Sequence, residues 1–231
     1  MLDKKPSASL AWIPPDADLE ELARAARSCR ACHLYERATQ TVFGEGPAPA
    51  PLFLVGEQPG DQEDKRGRPF VGPAGRVLDE ALETASISRD QVYVTNVVKH
   101  FKWEPRGKRR MHSKPNAAEI AACNGWLQAE VELVRPEVIV CLGATAAQTF
   151  LGRRFSVTKM RGQPLDGAPW APHILATYHP SALLRMIEDR DAYEKAKREL
   201  ADDLATAASL VAYRRTRARP ATRPRRGRVH L

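Results

Sequence analysis

Several separated stretches of the chain hold residue types that can do chemistry. Gly56-Glu57-Gln58-Pro59-Gly60-Asp61 sets two carboxylates in a glycine-rich turn, where they can stabilise a developing cation or position a proton acceptor. As a bare pair they also suit the capping of a helix end. Asn96 offers a donor and an acceptor from one amide, the pattern that reads the edge of a heterocycle, and otherwise suits a strand-end turn. His179-Pro180-Ser181 places an imidazole before a proline. His100 and His112 lie in a segment where Lys99, Lys102, Arg106, Lys108, Arg109, Arg110 and Lys114 surround one acid, Glu104. Seven cations against one acid give a local charge of +6. Pro105, Gly107 and Pro115 mark this segment as a loop, able to grip phosphate or simply solvated.

Cysteines occur at 29, 32, 123 and 141. A cytoplasmic chain does not usually keep structural disulfides, so Cys29-Arg30-Ala31-Cys32 suggests metal or redox chemistry. A thioredoxin-like pair follows a strand and opens a helix, whereas this one ends the helix-like stretch Leu19 to Arg27. A zinc ribbon wants a second close pair, and Cys123 and Cys141 stand apart on an expected helix and strand. Four thiolates from separated elements match an iron–sulfur cluster at least as well. A fortuitous pair with two core cysteines is the other possibility.

Elements must position these residues. Pro51 to Val55, Gln91 to Thr95, Glu137 to Leu142 and His173 to Thr177 are short apolar runs that read as strands. Between them, Val77, Leu78, Ala81 and Leu82 form one helical face, and Ile120, Leu127, Val131 and Val134 another. Alternation of strand and helix predicts an α/β fold: one three-layer α/β/α sandwich with a mainly parallel central sheet. Ligands gather at the carboxyl ends of such strands, where Glu57, Asn96 and His179 all fall.

The 231 residues suit one domain with trimmings: an N-terminal extension over 1–17, a domain over 18–210 and a tail over 211–231. The tail holds eight arginines and no acid or lysine. Taking those eight from the 36 Lys and Arg leaves 28, equal to the 28 acids, so the net charge of +8 belongs to the tail. Pro220, Pro224 and like-charge repulsion predict a flexible segment that attracts polyanions. No apolar run approaches the roughly 18 to 20 residues of a membrane span. The N-terminus lacks the apolar region of a secretory signal, so a cytoplasmic protein is expected, and a monomer.

The turn after the first strand continues through Gly67 and Pro69-Phe70-Val71-Gly72-Pro73-Ala74-Gly75. Together with Thr95-Asn96-Val97-Val98-Lys99 and His179-Pro180-Ser181-Ala182-Leu183-Leu184-Arg185, it resembles the uracil-DNA glycosylase superfamily over residues 18 to 210. The cysteines make the chain similar to the iron–sulfur family 4 branch. Gln58 stands where ordinary members carry Ala or Gly, and Gly107-Lys108-Arg109-Arg110-Met111-His112-Ser113 is an insertion they lack. Both features resemble UdgX, the subgroup that becomes covalently trapped on uracil-containing DNA, although its loop usually has Ile where Met111 stands.

The resemblance implies roles. Asn96 pairs with the O4 and N3–H edge of a flipped uracil, Phe70 stacks on its face, Gln58 adjoins it, and His179 donates to O2 as the base leaves. Glu57 and Asp61 lie near the oxocarbenium. Lys108, Arg109 and Arg110 hold phosphates, while Ser181, Leu183 and Arg185 belong to a DNA-inserting segment in which Leu183 is an apolar wedge. His112 attacks the sugar C1′ and stays bonded to it. Cys29, Cys32, Cys123 and Cys141 ligate one four-iron, four-sulfur (4Fe–4S) cluster of structural role. The partner is uracil-containing DNA, with single strands favoured. Two rivals remain: conventional hydrolysis by a family 4 enzyme, and a non-catalytic iron–sulfur DNA-binding protein.

Overall fold

In the computed structural model, which describes residues 7–166 and 170–218 with side chains as far as Val211, each expected strand forms within one residue of its expected ends. In chain order the elements are α1 (Leu19–Ala26), β1 (Leu52–Gly56), α2 (Asp61–Arg66), α3 (Pro73–Thr84) and β2 (Val92–Asn96). Then come β3 (Trp103–Arg106), β4 (Arg109–His112), α4 (Ala117–Val134), β5 (Val138–Leu142), α5 (Ala144–Leu151) and α6 (Val157–Met160). The last are β6 (Leu165–Asp166), β7 (His173–Thr177), α7 (Pro180–Leu184) and α8 (Arg190–Ala218).

The central sheet runs β2-β1-β5-β7-β6, with the first four strands parallel and β6 antiparallel at the edge. Every residue of β1, β2 and β5 is buried, because helices cover both faces and no position needs to face water. Phe53, Val55, Tyr93, Ile139 and Ala176 pack with Leu22, Trp126, Leu127 and Val131 on the side of α1 and α4. Leu54, Val94, Val140 and Leu175 pack with Leu78, Leu82, Leu200 and Leu204 on the side of α3 and α8. This is the expected three-layer sandwich. The chain leaves β1 for β2 on one side, while β5 pairs with β1 on the other. The carboxyl ends of β1 and β5 therefore flank the switch point where open α/β sheets bind ligands.

Three expectations change. The segment expected as a loop around Gly107 is an antiparallel hairpin, pairing Trp103 with His112 and Arg106 with Arg109. Gly107 turns it at φ +59°, and Pro105 is tolerated because this two-stranded sheet has only outer edges. Part of the expected N-terminal extension docks on the domain: Ser7 Oγ donates toward the carbonyls of Ala121 and Ala122, and Trp12 and Ile13 pack on the core. The boundary at 210 falls inside α8, since Leu200, Leu204, Ala207 and Val211 continue one buried stripe and no helix breaker occurs before Pro220. Residues 219–231 of the tail lie outside the described residues. Among the described residues no helix is long and apolar enough to cross a membrane.

Candidate active site

The carboxyl ends of β1, β2, β5 and β7 surround a cavity of about 510 Å³ lined by Glu57, Gln58, Phe70, Asn96, His112, Thr145, His179 and Arg185, among others. Gly56, the last residue of β1, stands in register with Asn96. A Cβ on Gly56 would run into Asn96 Oδ1 and the Phe70 ring, so glycine lets the amide and the ring close on one spot. Asn96 is 2% exposed, and its Oδ1 is a buried acceptor with no hydrogen-bond partner. Such an atom is costly unless a ligand supplies a donor, for example an imide N–H. Its position is fixed from behind. Lys99 Nζ donates to the Asn96 carbonyl at 2.8 Å, to Thr95 Oγ1 at 2.6 Å and to Glu130 at 2.5 Å, a buried ion pair beneath the strand end.

Phe70 is buried with φ +53°, a left-handed conformation that an aromatic residue seldom adopts. Its ring lies 6.0 Å from that of His179, tilted by 31°. His179 caps α7: the Ser181 backbone N–H donates to its Nδ1 at 3.1 Å, and Ser181 Oγ lies 2.8 Å from the same atom. Since Nδ1 accepts, the ring proton of the neutral imidazole sits on Nε2. Burial lowers the His179 pKa to about 4, with the charges of His112 and Arg185 adding and Glu57 opposing, so the ring is a neutral donor near pH 7.

Glu57 follows β1 and stands between two partners. Its Oε2 accepts the Thr145 hydroxyl, and its Oε1 lies 3.3 Å from His112 Nε2. Burial pushes its carboxyl up, but hydrogen bonds from His112 and Thr145 and the charges of His112 and His179 outweigh that and hold it below the ordinary value. A carboxylate is thus kept ionised in a partly dry pocket beside an imidazole.

His112 arrives at Glu57 on the hairpin, which Gln58 clamps at its base. Gln58 Nε2 donates to the carbonyls of Lys102 at 3.0 Å and Ser113 at 3.1 Å, while its Oε1 accepts the Lys102 N–H at 3.1 Å. The side chain is therefore committed to the hairpin even though it borders the cavity. A second tether is Arg110, whose Nε donates to Asp61 Oδ1 at 2.7 Å and whose Nη1 donates to buried Asp64 at 2.6 Å. The guanidinium also stacks near the Phe101 and Trp103 rings.

These contacts revise several assignments. Arg110 is occupied by Asp61 and Asp64 and is not free to hold phosphate. Asp61 turns to Arg110 and Lys65, away from the cavity. Lys99 and Lys102 are paired with Glu130 and Glu119, which removes them from the basic patch. Lys108 and Arg109 stay exposed at the hairpin tip, and Lys114 and Arg185 at the cavity mouth. Leu183 is 0% exposed and cannot be a wedge: one turn of α7 rotates it into the core with Leu200 and Leu204. Met186 and Ile187 just beyond it are exposed. Thr145 and Gly143 went unnoticed in the sequence, although Leu142-Gly143-Ala144-Thr145 is, like the turn after β1, a glycine-bearing strand-to-helix turn.

The cysteines divide. Cys29, Cys32 and Cys123 lie near enough that their charges act on one another. Burial pushes the Cys123 thiol up to about 12, with Lys99 opposing and the other two thiols adding. The Trp126 indole N–H donates to Cys29 Sγ and the Lys99 backbone N–H to Cys123 Sγ, each at 3.3 Å. Donors aimed at sulfur suit thiolates held by a cluster. Cys141 does not join them: it is the next-to-last residue of β5, paired between Val55 and Ala176, and burial alone raises its thiol. His100 is buried on the wall that Lys99 forms with Cys123. The Thr41 hydroxyl donates to Ala26 O at the end of α1, so it must accept His100 Nε2–H at 3.0 Å, which leaves Nδ1 as a lone-pair donor. Among the described residues no three His, Cys, Asp or Glu side chains group to hold a single metal ion.

The model of the uracil DNA glycosylase superfamily matches residues 43–205. The type-4 uracil-DNA glycosylase of Thermotoga maritima is 43% identical over 170 residues, covering 72% of this chain and 83% of that protein. Those of Archaeoglobus fulgidus (37% over 183 residues, 76% and 88% covered) and Sulfurisphaera tokodaii (38% over 173 residues, 72% and 76% covered) are also similar to it.

Proposed function

The chain belongs to the uracil-DNA glycosylase superfamily and, within it, to the type-4 family, and from that premise we propose that it excises uracil from DNA and is then captured on the resulting sugar through His112. A stacked base cannot reach such a cavity, so the nucleotide flips into it. Asn96 Oδ1 then accepts the uracil N3–H and its amide donates to O4; cytosine presents neither. Phe70 stacks on the base. As the C1′–N1 bond breaks, its electron pair leaves with uracil, and the His179 Nε2–H donates to O2, where the charge collects. The sugar becomes an oxocarbenium facing the Glu57 carboxylate. A nitrogen of His112 bonds to C1′, and Glu57 takes up the ring proton.

The observation that carries the covalent step is the 3.3 Å approach of His112 Nε2 to Glu57 Oε1 in one cavity with Asn96 and His179, on a hairpin clamped by Gln58. Hydrolysis is the second reading, since the same carboxylate can orient water at C1′ and the curated relatives are named simply as type-4 glycosylases. Incubation with uracil-containing single-stranded DNA followed by denaturing electrophoresis separates the readings. A protein–DNA band supports capture, free abasic DNA supports hydrolysis, and unchanged DNA contradicts both.

A 4Fe–4S cluster fits the three thiols and their N–H donors. Cys29, Cys32 and Cys123 would hold it, with His100 rather than Cys141 as the fourth donor. When bound, it supplies a rigid cross-link between α1, α4 and the end of β2; no step of the reaction requires it. The exposed cations Lys108, Arg109, Lys114 and Arg185 would meet DNA phosphates. The protein is read as a cytoplasmic monomer.

A further inference from the structure

The β5–α5 turn, Gly143-Ala144-Thr145, enters the cavity from the strand beside β1, lying against His179 at Gly143 and reaching Glu57, the partner of His112, at Thr145. Gly143 has φ +90°, and a Cβ there would come within 2.8 Å of His179 Cβ. Thr145, two residues on, is 5% exposed. A hydroxyl in the first turn of a helix commonly serves that helix's own end. Here it does not: α5 has no side-chain cap at its N-terminus, and the Thr145 hydroxyl points across to Glu57 Oε2. The Thr145 backbone is fixed in turn, with its carbonyl accepting Thr149 Oγ1 at 2.9 Å. With Oε2 held, Glu57 turns Oε1 toward His112 Nε2.

We propose, on the basis that this cavity is the glycosylase site, that Thr145 is a positioning residue: its hydroxyl sets the orientation of the Glu57 carboxylate that serves His112 and the sugar. A free glutamate carboxylate can rotate, and one about a quarter turn away would take its oxygens out of the plane that meets Thr145 and His112, so that it would neither orient the imidazole nor face C1′. Thr145 also supplies a hydrogen-bond donor to the ionised form, acting with His112 and His179 against the burial that favours the neutral acid. The titratable and charged groups around Glu57 are His112 from the hairpin, His179 at α7, Glu63 from α2, and Lys114 and Arg185 at the mouth. Removal of the hydroxyl leaves all of these in place, so the acid limb of the reaction should move to higher pH.

Thr145→Val and Thr145→Ser separate the hydroxyl from the volume of the side chain. Both variants and the parent react with uracil-containing single-stranded DNA across a pH series, with crosslinked protein and released abasic DNA measured together and melting temperatures checked. In Thr145→Val, crosslinking near neutral pH should fall on the order of tenfold, as expected for loss of a hydrogen bond to a charged group. Its acid limb should rise, and a larger share of product should appear as abasic DNA. Thr145→Ser should restore the parent's behaviour. Parent-like rates and pH profile in Thr145→Val overturn the proposal, as does a Thr145→Ser variant no better than Val. If the parent itself releases abasic DNA and forms no adduct, the capture reading fails by itself. The positioning role is then decided by the acid limb of excision, which must still move in Val and return in Ser.

Discussion

Asn96 carries the proposed selectivity, because its Oδ1 is buried without a partner and would recover that loss only when a base presents a donor. Asn96→Ala should slow reaction with uracil DNA by roughly ten- to a hundredfold, corresponding to about 1 to 3 kcal/mol for one buried hydrogen bond. Affinity for uracil-free DNA should hardly change, since phosphate contacts dominate it; parallel single-turnover and binding measurements check both. His179 carries a pH signature. Its folded pKa of about 4 lies below the ordinary 6.5, so between those values the unfolded chain binds a proton that the folded chain refuses. Stability contributed in this way is whole above about 6.5 and declines as pH falls toward 4. Melting temperature should therefore drop over that window, and His179→Gln should show a shallower drop.

At the scale of elements, the parallel strands were legible because a sheet covered on both faces is written as uninterrupted apolar runs, and the site followed because Glu57, Asn96 and His179 end those runs. The hairpin was not legible. Its strands are bare of apolar alternation, and its order comes from contacts distant in sequence: Gln58 at the base, Asp61 and Asp64 on Arg110. Charge alone cannot show which cations are already paired, so Arg110 read as a phosphate ligand. Leu183 misled for a related reason, since a short helix after His179 decides which side of it faces the core. Gln58→Ala removes three hydrogen bonds at the foot of the hairpin without touching Asn96 or His179. Crosslinking should fall by at least tenfold while uracil release persists at a rate closer to the parent's, as a gel resolving adduct from abasic DNA would show.

For the whole molecule, the cysteine-bearing corner joins α1, α4 and the end of β2, so the cluster proposed there would clamp one side of the sheet, apart from the proposed reaction site at the strand ends. Iron analysis of anaerobically purified protein should find about four irons. Cys141→Ser should keep them, and Cys123→Ser and His100→Ala should lose iron or hold it less firmly; retention in both of the latter would remove that corner as the site. The sequence suggested metal or cluster chemistry at the cysteines, but the proposed partition of ligands needed the sheet register that places Cys141 inside β5. The account as a whole stands on His112. After reaction with uracil-containing single-stranded DNA, proteolysis and tandem mass spectrometry should locate a deoxyribose adduct on His112, and His112→Ser should form no adduct while still releasing uracil. An adduct on another residue, or a heat- and detergent-stable adduct in His112→Ser, would contradict it.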